Sequence, residues 1–338
     1  MSYNIWGGGL NQNKSVDDNV AVIRAANADI VGMQETRIEE DMPGVGESVT
    51  AAIADALGFY YYEQTVQNFD ISSHAIWDNA IISRYPIVSS TKNNIGVGID
   101  ASEVGIPRVY AFNVHLPDFP YQPYQLLNIT YGDAPFITTE EEAIEYANQA
   151  RGSAMDKFYS DLQEVDADEH DVVLIFGYFN EPSYLDWTED AAKAGTHPLK
   201  DEFPTSKKLA EAGFVDALRQ VYPDVVAKPA FSWPWAEVDD PTLGSEYHND
   251  RIDFVYVRGG TGVLNVLDAS IVGGNAPGVD LIYDPYPSDH KAVVAGLAWD
   301  MKSEETSSST AGGTTESPSK EIPSSASMIV VMDRRSQV

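Results

Sequence analysis

The apolar positions of this chain change period repeatedly, and the changes mark out alternating helices and strands. Residues 16–28 place Val16, Val20, Ile23 and Ala26 at helical spacing, and the run ADIVGMQE that follows reads as a buried strand ending on Gln34 and Glu35. The segment VTAAIADALGF predicts a short helix closed by Gly58. TTEEEAIEYANQARGSAMDKFYSDLQEV predicts a long one, with Thr139 as N-cap and acidic residues in its first turns. MSYNIW, FYYYEQTV, NAIISRYPIVSS, RVYAFNVHLPD, DVVLIFG, RIDFVYVR and KAVVAGLAW read as further strands. The alternation runs to about residue 299 and predicts a layered α/β fold.

The pattern stops at the C-terminal end. From Ser303 to Ser327 about half the residues are Ser or Thr, with Gly and Pro between them, and so little apolar surface cannot offset the entropy of ordering. The expected organisation is one domain over residues 1–302 and a disordered tail over 303–338. No apolar run reaches the roughly 18 residues of a membrane span. The chain as written shows no signal peptide, but MSYNIW already reads as the inside of a strand, so an upstream start and secretion stay open. Two sequons, at Asn13 and Asn128, would permit glycosylation if a eukaryote secretes the protein, and chance occurrence is the competing reading for both.

Charge narrows the partners. The chain carries 21 Lys and Arg against 52 Asp and Glu, a net charge of -31, and it has no Cys. Disulfides and thiolate metal sites are excluded. A duplex binder draws most of its affinity from Lys and Arg on phosphates, so a small molecule or a lipid head group is favoured over nucleic acid. A monomer is expected.

Polar residues recur at the predicted strand ends: Asn4, Glu35, His115, Asn180, Asp253, Asp289 and His290. Strand ends of α/β sheets converge on ligand clefts. Glu35 has the hard oxygen that Mg2+ prefers, though a strand-end acid is as often simply solvated. Asp289 and His290 diverge as neighbours, so one can hold a metal while the other handles a proton or charge, oriented by an acid such as Asp253. Gly7 to Gly9 reads as a flexible loop, since no Lys-Ser/Thr helix start follows. Trp233 and Trp235 are core or cleft wall. The aromatic, Pro-containing stretch after His115, with Tyr121, Tyr124 and Tyr131, is a candidate substrate lid.

Taken in order, MSYNIW, VGMQET, DNAIISRYPI, FNVHLPD, GYFNEPSYLDW, FSWP, RIDFVYV and SDHKAVVA resemble the endonuclease/exonuclease/phosphatase (DNase I-like) superfamily. The resemblance implies a four-layered α/β sandwich, two mixed β-sheets packed face to face with helices outside, and a phosphoesterase dependent on Mg2+ (or Mn2+). It implies that Asn4, Glu35 and Asp289 attend the metal, that His115 and Asn180 bind phosphoryl oxygens, and that Asp253 and His290 stabilise the transition state.

The chain departs from that family at one place. The family pattern reads Gly-Asp-Phe-Asn where this chain has Gly177-Tyr178-Phe179-Asn180, and the Asp is the one usually assigned to the attacking water. A carboxyl with pKa near ~3.9 is ionised at neutral pH, whereas a phenol near ~10 is about 0.1% ionised. Three readings stand: Tyr178 as an unusual base, an inactive member that binds a phosphorylated ligand, or a phosphoesterase impaired by one substitution. Tyr184 is a second departure, since some relatives carry His there.

Overall fold

The computed structural model describes residues 1–39, 42–64, 78–168, 171–234, 248–259, 264–299 and 328–329. Two mixed sheets face each other. The first follows the order β12-β11-β13-β1-β2-β4-β3 and is built from β1 (Ser2–Asn4), β2 (Ile30–Gln34), β3 (Tyr60–Gln64), β4 (Asn79–Ser83), β11 (Leu264–Gly273), β12 (Leu281–Ile282) and β13 (Ala292–Trp299). The second follows β5-β6-β7-β8-β10-β9, from β5 (Ile87–Ser90), β6 (Gly96–Ala101), β7 (Ile106–His115), β8 (Val172–Tyr178), β9 (Val215–Asp216) and β10 (Asp253–Arg258). A two-residue strand β14 (Met328–Ile329) pairs with β13. The rest of the expected tail lies outside the described residues, as does Trp235.

Three apolar layers explain why the sheets stack. Helices α1 (Val16–Ala25) and α2 (Thr50–Leu57) press Val20, Ile23 and Ile53 onto the outer face of the first sheet. Between the sheets lie Ile81, Ile99, Leu174, Phe176, Val255, Ile271 and Val293. Helix α4 (Glu140–Glu164) packs Met155 and Phe158 on the outer face of the second. Strands buried on both faces read as unbroken apolar runs, which is why VVLIF in β8 was so plain. Each fully buried side chain of this size contributes about 1.5–3 kcal/mol. The result is the helix-sheet-sheet-helix sandwich expected.

The helix ends follow their predicted chemistry. Thr139 accepts from the Glu142 backbone while Glu142 returns to the Thr139 backbone, a reciprocal cap, and Gly58 closes α2 in the left-handed region at φ 71°. Two expectations are corrected. NAIISRYPIVSS is not one strand: it turns at Arg84 to Pro86 and its halves enter different sheets, because Pro86 has no N–H for a ladder. The stretch after His115 is not all loop: it contains helix α3 (Gln122–Leu127), and Tyr121 and Tyr124 are buried against Ile252.

Buried amides pin the upper ends of the two sheets. Asn113 on β7 donates to the Met33 and Ala80 carbonyls and to Gln64 Oε1, and accepts from Gln34 Nε2 at 2.7 Å. Ser2 Oγ accepts from Gly177 N at 3.0 Å. These bonds cross the gap directly beneath the strand ends that carry Glu35 and Tyr178. Such a network fixes relative register as well as adding stability.

Candidate active site

Ladder register alone assembles half of the site. Strands β7 and β8 are parallel with His115 opposite Tyr178, and β10 runs antiparallel to β8 with Asp253 opposite the same Tyr178. In the first sheet β1 lies parallel to β2 with Asn4 opposite Gln34, so Glu35 emerges one residue beyond. The SDHK turn leads into β13 beside β1, and Ser288 Oγ donates to the Asn4 carbonyl at 2.7 Å.

Glu35 is held from two sides. Its Oε1 accepts from Asn4 Nδ2 at 2.7 Å and its Oε2 from the Gly7 backbone at 3.1 Å. Burial, then the charge of Asp289, pushes its pKa up to about 8. Gly7 to Gly9 are therefore not a flexible loop. They form a buried tight turn with φ of 55°, 76° and 67°, and a Cβ on Gly8 would lie 2.8 Å from the Ile38 backbone. Gly8→Ala is expected to cost about 1–3 kcal/mol through backbone strain and to loosen the Gly7 contact to Glu35. Urea unfolding measures the first effect, and cation titration the second.

Asp253 and His290 form a closed pair. His290 Nδ1 lies 2.9 Å from Asp253 Oδ2, which also accepts from Ser232 Oγ at 2.7 Å. Ser232 Oγ in turn accepts from the Ile252 and Asp253 backbones. Burial acts to lower the His290 pKa, but Asp253, Asp289 and Glu35 outweigh it and raise it to about 9. His115 goes the other way: burial, then the nearby His290, lowers it to about 3, so its ring is neutral at pH 7.

The His290 shift has a testable sign. A histidine raised on folding contributes stability that is full below its unfolded pKa of 6.5 and lost as pH rises through about 9. The raised Glu35 adds a loss of the same sign between 4.5 and about 8. With a chelator present, urea midpoints should fall between pH 6 and pH 9, and His290→Asn should flatten the upper part of that slope.

Tyr178 occupies the middle of this constellation. Its ring centroid is 4.8 Å from that of His115 and 4.3 Å from that of His290. Burial first, then Glu35, Asp253 and Asp289, push its pKa well above the usual phenol value. Asn180 sits two residues on with φ 51°; its Nδ2 donates to the Leu116 carbonyl at 2.8 Å, and its own carbonyl accepts from Arg151 at 2.5 Å. Arg151, fully buried on α4, also binds Gln122 Oε1 and the Pro120 carbonyl, so it ties the β8 turn to α3. Its place in the middle of a long helix carried no sequence signal. Tyr184 lies apart, on a surface cleft with Ser206 and Phe214.

Next to Tyr178 opens a cavity of about 270 Å3 walled by Tyr121, Tyr124, Tyr131, Trp233, Ile252 and Asp118. Trp233 is thus cleft wall. Tyr131 donates its hydroxyl to Asp118.

The family model described as Endonuclease/Exonuclease/phosphatase family matches residues 1–290. The chain belongs to this family. An uncharacterized protein of Caenorhabditis elegans, F14F9.5, is 28% identical over 313 residues, covering 87% of this chain and 89% of that protein. Among solved structures, an endonuclease/exonuclease/phosphatase from Beutenbergia cavernae aligns with TM-score 0.53 and 17% identity, over 90% of this chain and 78% of its own. An AP endonuclease from Archaeoglobus fulgidus aligns with TM-score 0.47 and 15% identity, over 87% and 96%. The family generally uses divalent metals.

The donor set here fits such an ion. Asp253 Oδ1 and Asp289 Oδ1 are buried without a hydrogen-bond partner among the described residues. The charge of Asp289 acts on Glu35, and that of Asp253 on Asp289, so the acids neighbour one another in pairs. Hard oxygens short of countercharge suit a divalent cation. No helix among the described residues is long and apolar enough to cross a membrane.

Proposed function

We propose that the chain is a metal-dependent phosphoesterase whose hydrolytic step is impaired by Tyr178. The observation that carries this reading is the Tyr178 ring packed against both His115 and His290. Glu35 and Asp289, with Asn4 alongside, would hold Mg2+ or Mn2+. Bound there, the cation supplies countercharge and Lewis acidity to a phosphate ester. His290, kept protonated by Asp253, offers an N–H to a phosphoryl oxygen where negative charge builds, and His115 and Asn180 line the same end. What is missing is a carboxylate to take a proton from water. Loss of a positioned base costs about 10²- to 10⁴-fold.

The same ring supports the second reading, a member that retains a phosphorylated ligand without turnover. Both readings require the cation and the phosphate contacts, and they differ in chemistry alone. The aromatic cavity beside the site favours a bounded substrate with an apolar or cationic group next to its phosphate, since aromatic faces attract cations and Asp118 adds charge. This agrees with a small molecule or lipid head group rather than a nucleic acid. It is also compatible with a single chain acting as a monomer.

Calorimetric titration with Mn2+ tests the shared premise. One equivalent should bind, Glu35→Ala should weaken it by about 10²-fold or more, and inorganic phosphate should bind better with the cation present. Equal Mn2+ binding by Glu35→Ala would remove the reading. Binding to duplex DNA with a steep negative salt dependence would overturn the substrate preference.

A further inference from the structure

Tyr121, a wall of the aromatic cavity, donates its hydroxyl to Asp250 Oδ2 at 2.6 Å, and around the other oxygen of that carboxylate lies a cluster that phosphoester chemistry does not use. Asp250 Oδ1 is 3.9 Å from His197 Nδ1 and 4.0 Å from His248 Nε2, and the two ring nitrogens are 3.2 Å apart. The side chains of His197 and Asp250 are 3% and 1% exposed, and that of His248 18%. Hydrogen bonding explains one of these three approaches. The imidazoles share a proton, whereas both distances to the carboxylate exceed hydrogen-bond length.

The triangle has the size of a coordination sphere. Three atoms separated by 3.2, 3.9 and 4.0 Å lie on a circle of radius about 2.2 Å, against the ~2.0–2.2 Å that Zn2+ keeps from imidazole nitrogen and carboxylate oxygen. We propose that His197, His248 and Asp250 form a second metal site, structural in role, that takes Zn2+. Two imidazoles and one carboxylate select Zn2+ over Mg2+, which prefers oxygen throughout. A fourth position remains for water.

The surroundings have the outer-shell bonds that orient metal ligands. Trp187 Nε1 donates to Asp250 Oδ1 at 3.0 Å, and the Trp187 ring stacks on His197 with centroids 4.4 Å apart and planes 13° from parallel. Tyr121 anchors the second carboxylate oxygen. The adjacent cation, Arg251, is committed to Asp186 and Asp216 and gives Asp250 no countercharge. The ion would brace the approach to β10. The Asp250 backbone pairs with Trp233 in both directions, and Asp253 follows three residues later. Zinc at Asp250 would therefore stiffen Trp233, Tyr121 and the strand that carries the His290 partner.

The test uses the full chain stripped by a chelator, titrated with Zn2+ in a calorimeter and with Co2+ as a spectroscopic probe. Glu35→Gln removes the principal ligand of the phosphoester site and leaves this cluster intact. That variant should bind one equivalent of Zn2+, rise in Tm with it, and give the strong visible absorption of four-coordinate Co2+. Adding His248→Gln should weaken Zn2+ binding beyond the ~10–100-fold that losing an outer-shell partner costs, and abolish the Co2+ band. Circular dichroism establishes that the partly exposed His248 position tolerates the change. Failure of the Glu35→Gln chain to bind Zn2+, or unchanged affinity after His248→Gln, would overturn the site. If the His248 variant does not fold, the Co2+ spectrum of Glu35→Gln still decides: a weak octahedral band refutes it.

Discussion

Tyr178→Asp should raise metal-dependent hydrolysis of a chromogenic phosphodiester by ~10²-fold or more over the native chain. The reason is positional. Residue 178 closes β8 with His115 opposite it on one side and Asp253 on the other, so any side chain there projects into the space those groups enclose. The phenol fills that space between two imidazoles, and burial with three nearby acids holds it protonated. Aspartate removes the ring and places a carboxylate where a proton must be taken. It also adds a fourth acid to an acidic cluster, so the gain must depend on Mg2+ or Mn2+ and vanish in the Glu35→Ala, Tyr178→Asp double variant. Tyr178→Ala separates the two effects, since it opens the space without supplying a base and should recover much less. Tyr178→Phe should leave the residual rate unchanged; a loss there would make the phenol itself the base. If the native chain already turns over and Tyr178→Asp gains nothing, the impaired-enzyme reading fails.

The largest structural penalty should come from Arg251→Met. Arg251 is 1% exposed and its guanidinium reaches Asp186 through Nε at 2.9 Å and Asp216 through Nη2 at 2.7 Å, while its plane lies over Phe254 at 4.5 Å. Arg219 adds a second cation to Asp186 at 2.5 Å. Removing Arg251 leaves buried Asp216 without its cation and Asp186 with Arg219 alone, a change that costs about 3–5 kcal/mol. Urea unfolding should show it as a lowered midpoint with an unchanged slope. Replacing Asp186, Asp216, Arg219 and Arg251 together with apolar residues of similar volume should recover most of the loss, because the penalty lies in the unpaired charges. A loss below about 1 kcal/mol for Arg251→Met would mean that water or Arg219 compensates. Glu181 and Asp186, which follow the Tyr178 turn, thus face buried arginines, Arg151 and Arg251, and neither stands in for the missing base.

How much of this was readable beforehand depended on the range of the interaction. Buried strands such as VVLIF, the helix cap at Thr139 and the stop at Gly58 are set by residues within one turn or one strand of each other, so their pattern survives in one dimension. Strand β6 was missed because its two glycines have low strand propensity; it forms because the Phe112 ring fills the space over Gly96. The polar residues at strand ends, Asn4, Glu35, His115, Tyr178, Asp253, Asp289 and His290, were all visible as residues, and their order carried the family resemblance. That they meet depends on which strand pairs with which, and on Asn113 locking the two sheets together.

The sequence by itself determined the fold class, the acidic character and the oddity at position 178, because each rests on composition, local periodicity or the order of short motifs. Only the tertiary structure decided that the Tyr178 ring lies between two imidazoles, that the triple glycine is a rigid support for Glu35, and that His197 stands 3.2 Å from His248. Those facts join residues tens to hundreds of positions apart. Chain closure over such separations is set by the packing of the whole sandwich, and no local pattern encodes it.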